Sequence, residues 1–176
     1  MKLRSLLIAF LLVAGSCFAA DVDGKWTGTF STPMGDIPIG FTFKGNGAKF
    51  ALVTDLGYLP ELVKVHLRDA DCLVLESNHD LDMLKVGPYP WVVKQRVLSR
   101  TGHLSNLAVS DYLADPEGFD GRARYLIMAH ISLENNHPDV VRLSAEQALQ
   151  KRPKEGAFTG ELMLASQGAP MKPLEL

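Results

Sequence analysis

The sequence lacks most of the short motifs that usually announce a chemistry. Its five histidines all lie at or beyond His66, and no HExxH, CxxC or HxHxD pattern occurs, so no compact zinc motif is present. No GxSxG elbow precedes a helix, which removes the anchor of a serine-nucleophile hydrolase. Walker-type and dinucleotide glycine loops are missing as well, because KGNGAK lies between β-like segments and not ahead of a helix. Cysteine is almost absent: Cys17 falls in the leader described below, so Cys72 would stand alone after its removal and no intramolecular disulfide could form. Cys72 sits in the apolar run CLVLE and reads as a buried structural thiol. Beyond residue 20 no apolar run is long enough to span a membrane, so stable membrane insertion is not expected after leader cleavage. A formal net charge of -2 gives no overall attraction to nucleic acid. One local exception stands out, since Met83 through Ser110 contains no Asp or Glu but holds Lys85, Lys94, Arg96 and Arg100.

What is present begins with a leader. MKLR is a basic n-region, SLLIAFLLVAG is an apolar h-region, and CFAAD carries small residues suited to cleavage near Ala19 or Ala20. Residues 1–20 are therefore expected to be an export signal, with a periplasmic or secreted product. Ala14 stands three positions before Cys17 where a lipoprotein signal favours Leu, which argues against lipid attachment. The remainder is ordinary in composition, 47% hydrophobic and 22% charged, with room for one domain and a core.

Two patterns follow the leader. Residues 21–50 alternate with period two around Trp26, Phe41 and Phe43, with PMGD and KGNGAK as turns, and predict a front rich in β-hairpins. From residue 51 to 176 short apolar strands alternate with helices. KFALVTD, CLVLES and ARYLIMAH read as strands, and GELML as a closing strand. PELVKVHLRDA, PWVVKQRVLSR, LSNLAVSDYL and PDVVRLSAEQALQK read as helices, with Ser105 as an N-cap, Pro138 in a first turn, and Leu104, Leu107, Ala108 and Tyr112 at helical spacing. That order makes the fold class α/β. Asp55, Glu76 to Asp80 and His130 then follow the C-terminal ends of strands, where open α/β sheets gather ligands.

Read without any family, Asp55, His79, His103 and His130 are capable of holding a divalent metal or moving protons. Each is also compatible with a structural role. Asp55 before LGY suits a turn, Asn78, Asn135 and Asn136 suit turns equally, and His66 and His137 are assigned to surface or structural positions.

The stretches VTDLGY, ADCLVLESNHDLDMLKVGPYPWVVKQRVLSRTGHLSN and MAHISLENNHP resemble the C-terminal half of metallo-β-lactamase-fold metallohydrolases. The nearest branch is the small bacterial YycJ-type proteins related to the ribonuclease Z group, and the likeness runs from about Asp36 to the C-terminus. The resemblance implies a partial αββα sandwich, a mixed sheet with helices on one side, and a divalent metal site for zinc or manganese. It implies Asp55 as the aspartate bridging two metals, His130 as the last histidine ligand, His103 as the group assisting at a scissile phosphate, and His79 as a residue near that site. The implied reaction is phosphodiester hydrolysis of DNA or RNA, with Lys94, Arg96, Arg100 and Asn106 on the substrate side.

The sequence departs from the family in lacking its HxHxDH motif, and STPMG stands where a further histidine ligand is expected before DIPIGF. At most two of the usual ligands remain, which implies an incomplete site. DVDGKWTGTFSTPMGDIPIGFTFK resembles the start of small exported β-rich bacterial proteins, whereas the YycJ-type likeness implies the cytoplasm. The two likenesses are expected to join between Met34 and Phe50. The alternative to a hydrolase is a non-catalytic exported binding or structural domain, and a homodimer completing one site across two chains is a third expectation.

Overall fold

The computed structural model describes residues 40–45 and 47–176, with side chains from residue 47 onward. The expected leader and most of the expected hairpin-rich front lie outside the described residues. Among the described residues five strands form one sheet in the order β1-β2-β3-β4-β5: β1 (Gly40–Gly45), β2 (Ala48–Val53), β3 (Cys72–Glu76), β4 (Tyr125–Ala129) and β5 (Glu161–Leu164). β1 and β2 make an antiparallel hairpin in which Phe43 pairs with Phe50, and the remaining neighbours are parallel. The hairpin turn includes Gly47 at φ 82°, a left-handed conformation that glycine adopts without a side-chain clash. The sequence boundary drawn at residue 50 falls inside β2, so the described part of the front and the α/β portion share a sheet.

Among the described residues five helices connect or flank the strands: α1 (Glu61–Leu67), α2 (Leu81–Val86), α3 (Trp91–Val97), α4 (Asn106–Ala114) and α5 (Pro138–Gln150). Side chains alternate across a strand, so Ala51 and Val53, Leu73 and Leu75, and Leu126 and Met128 share one face. There they join Leu67, Val109, Leu113, Val141, Ala145 and Ala148 from the helices in one buried cluster. Burying each of the Val, Leu and Met side chains among them is worth roughly 1.5–3 kcal/mol.

The expected caps are present. Ser105 Oγ accepts the Ala108 N–H at 3.1 Å, and Pro138 occupies the first turn of α5 behind His137, whose Nδ1 accepts the Asp139 N–H. His66 is exposed, and Cys72 is buried with its thiol pushed up to about 11 by burial. Two features go beyond the sequence patterns. Leu107 is 56% exposed, because α4 turns Asn106, Val109, Tyr112 and Leu113 inward. A helix not foreseen, α2, follows Asp80, whose Oδ1 caps the N–H groups of Asp82 and Met83.

Candidate metal centre

The parallel pairing of β2, β3 and β4 brings three strand ends together. Asp55 follows β2, Glu76 ends β3, His130 follows β4, and His103 arrives on the turn between α3 and α4. Their ligand atoms all lie within 4.8 Å of one another.

Glu76 is at the centre and fully buried. Its Oε2 accepts the backbone N–H groups of Leu56 and Leu104 at 3.2 and 3.3 Å, which ties the loop after β2 to the loop before α4. Its Oε1 faces both imidazoles, 2.7 Å from His103 Nδ1 and 2.7 Å from His130 Nδ1. The His103 contact is a well-formed hydrogen bond. The His130 contact is equally short but not aligned as one, leaving its Nδ1 without a hydrogen-bond partner. Asp55 Oδ1 lies 3.6 Å from His103 Nδ1 and 3.9 Å from His130 Nδ1, and the two rings stand edge to face with centroids 5.0 Å apart.

Burial alone would raise the Glu76 carboxyl, but the His103 hydrogen bond, the short His130 contact and the charges of both rings together outweigh it and hold the carboxyl below its ordinary range. His130 is raised, chiefly by its contact with Glu76, with burial opposing and Asp55 adding to the rise. Asp55 and His130 both have left-handed backbones, at φ 61° and 53°. Such conformations are uncommon for residues with side chains and aim both groups into the cluster. Asp69 shares the conformation at φ 56° outside the site.

Two carboxylates and two imidazoles suit a borderline divalent cation. The crowding of oxygens and nitrogens with one short, unaligned contact fits a cation between them, so the residues present can hold one metal.

The neighbouring loops are built to hold these groups. Gly57 donates its N–H to the Arg100 carbonyl so closely that a Cβ there would meet Ser99 O at 1.8 Å. Gly102 passes α3 so tightly that a Cβ would meet Val97 O at 2.1 Å, and His103 N–H closes onto that same carbonyl.

The structure therefore gathers Asp55, His103 and His130, and it adds Glu76, which sequence reasoning had grouped only with a polar strand end. Other assignments fare differently. His79 is 1% exposed, neither ring nitrogen has a hydrogen bond, and the residue is absent from the cluster. Burial lowers its pKa most strongly, with the nearby Glu76 charge opposing. His79 thus lies beside the cluster and not in it. Asn106, expected on the substrate side, is buried, with its carbonyl accepting from Ser77 and Asn136 and its amide donating to Asn136. Lys94 donates to the Lys85 carbonyl at 2.6 Å, and Arg100 donates to the Tyr58 hydroxyl at 2.6 Å while lying over its ring. A cavity of about 530 Å³ opens beside His103 and His130, with Tyr89, Arg96, Leu133 and Glu134 among its walls.

No family model matches the sequence. The chain is 38% identical over 119 residues to an exodeoxyribonuclease YycJ of Bacillus anthracis, covering 65% of this chain and 43% of that protein. It is 33% identical over 104 residues to an exodeoxyribonuclease WalJ of Streptococcus pneumoniae serotype 2, covering 59% and 38% respectively. The chain thus spans less than half the length of these curated relatives. Among solved structures, the metallo-β-lactamase fold protein YhfI of Bacillus subtilis aligns with a TM-score of 0.50 at 18% identity, over 82% of this chain and 47% of that one. The described chain has an α/β architecture matching part of the metallo-β-lactamase fold, and its sequence resembles the YycJ-type proteins of that fold.

Proposed function

We propose that the chain acts as a metal-dependent phosphodiesterase on DNA. The observation that carries this reading is the convergence of Asp55, Glu76, His103 and His130 at three neighbouring strand ends, in a chain similar to exodeoxyribonucleases.

Asp55, His103, His130 and Glu76 would hold a divalent cation, zinc or manganese. When bound, such a cation acidifies water and withdraws charge from a phosphate. The protein's own part follows from the contacts. Glu76 fixes the orientation of the His103 ring through its contact with Nδ1. The buried carboxylate also keeps His130 basic and oriented. Arg96, on the wall of the adjoining cavity, supplies a positive charge for the strand's phosphates. Residues 1–20 are read as an export signal that would place this activity outside the cytoplasm, which the mass of the mature protein tests. A rival reading, an exported binding module without catalysis, shares the fold but predicts no turnover.

The test is hydrolysis of single- and double-stranded DNA by the whole chain with manganese or zinc. His103→Ala is expected to abolish the activity while leaving the thermal melt intact; unchanged activity would refute the assignment. Activity per chain that rises with protein concentration would show two chains completing the site.

A further inference from the structure

The cavity beside the metal centre has a distribution of groups that the cluster itself does not explain. His103 and His130 form part of its wall, and Tyr89, Arg96, Leu133 and Glu134 form others. Its volume of about 530 Å³ is in the range of sites for small organic ligands.

The cations of the neighbouring basic stretch are mostly engaged. Lys85 pairs with Asp82 at 2.8 Å, Lys94 donates to the Lys85 carbonyl, and Arg100 is held by Tyr58. Among the described residues the Arg96 guanidinium has no hydrogen bond or ion pair, although it lies on the cavity wall. A planar guanidinium with free donors is matched to a phosphate. Tyr89, partly buried on the same wall, offers an aromatic face and, among the described residues, an unengaged hydroxyl. Leu133 is 79% exposed and gives the opening an apolar flank. Glu134 brings a carboxylate that no ion pair joins to Arg96. One cation and one anion in a single cavity orient a ligand that has a negative end and a hydrogen-bond-donating end. A nucleotide is such a ligand: its phosphate suits Arg96, while its base amino group or sugar hydroxyl suits Glu134.

We propose that this cavity is the subsite for one nucleotide of the DNA strand, adjoining the phosphate presented to the metal centre. Arg96 pairs with a phosphate, Tyr89 stacks on the base and Glu134 accepts donors from the base or sugar. The proposal rests on the phosphodiesterase reading for its substrate class, but its test needs no turnover.

The experiment is calorimetric titration of the whole chain, in chelator, with deoxyadenosine monophosphate, deoxyadenosine and inorganic phosphate. The monophosphate is expected to bind tighter than either fragment. Arg96→Ala should weaken the monophosphate and inorganic phosphate by roughly tenfold while sparing deoxyadenosine, as loss of a charge-assisted contact implies. Tyr89→Ala should weaken the monophosphate and deoxyadenosine by roughly tenfold while sparing inorganic phosphate, the scale of one base–aromatic stack. Lys151→Ala, outside the cavity, should change nothing, and unaltered melts establish that the variants are folded. No monophosphate binding up to about 10 mM, a free energy near -3 kcal/mol, would overturn the proposal. So would monophosphate affinities that agree among the wild type, Arg96→Ala and Tyr89→Ala. The parent reading fails separately: an inactive chain that still shows this binding pattern keeps the subsite and loses the phosphodiesterase. Nuclease activity with KM unchanged in both variants overturns the subsite alone.

Discussion

Replacing Glu76 separates the structural from the chemical role of the centre. Its fully buried carboxylate satisfies the N–H groups of Leu56 and Leu104 on one oxygen and faces two imidazoles with the other. In Glu76→Leu both backbone donors lose their acceptor, and each unsatisfied buried donor costs about 1–3 kcal/mol, so the loss should be about 2–6 kcal/mol. Glu76→Gln keeps the shape and one carbonyl for those donors, with its amide left to face the imidazoles, so its stability loss should be near 1 kcal/mol. It nevertheless removes the charge that orients and raises His130. Urea unfolding of the metal-free chain reads the two free energies, and zinc titration reads the affinity. The expected pattern is a large stability loss in the leucine variant and a weakened zinc affinity in both. A leucine variant as stable as the wild type would refute the buried-carboxylate account.

Three further outcomes follow from the same contacts. His79 is held below its ordinary pKa by burial, so the unfolded chain binds its proton more readily. The stability this gives at neutral pH is lost as pH falls from about 6.5 toward the depressed folded value, and His79→Leu should flatten that part of a stability-against-pH curve without loss at pH 7; an unchanged slope would contradict it. Gly57→Ala forces a methyl against Ser99 O and should cost about 1–3 kcal/mol in a urea melt, with no cost if the loops do not touch. Asn106→Ala should also cost about 1–3 kcal/mol by breaking its bonds with Ser77 and Asn136, while leaving deoxyadenosine monophosphate affinity unchanged by calorimetry.

Much of this fold was legible because its strands are short apolar runs ending in polar residues, and because Ser105 and Pro138 mark helix starts. The six-residue α2 was not, since it is too short to display a period, although Asp80 before it and Gly87 with Pro88 after it were start and stop signals. The inward face of α4 includes polar Asn106, which apolar spacing cannot detect. Asp55, His103 and His130 were singled out from the sequence and do converge, but across 48 and 27 residues of chain, so only strand pairing reveals their meeting. Glu76 was missed as a participant because its burial depends on His103 and on the Leu56 and Leu104 amides. A carboxylate closing an apolar strand was the signal. His79 and Asn106 lie in the same polar-looking loops yet face inward, a distinction set by the bridge between His79 and Ser105 and the contacts around it.

The central claim is that the four clustered side chains hold a metal. The most direct measurement is elemental analysis of zinc and manganese per chain after purification without chelators, on monomer and dimer fractions separately, beside the Asp55→Ala and His130→Ala double variant. The account predicts near-stoichiometric metal in the wild type and its loss in the double variant with the fold retained. Wild-type protein free of metal in both fractions, or metal retained by the double variant, would contradict it.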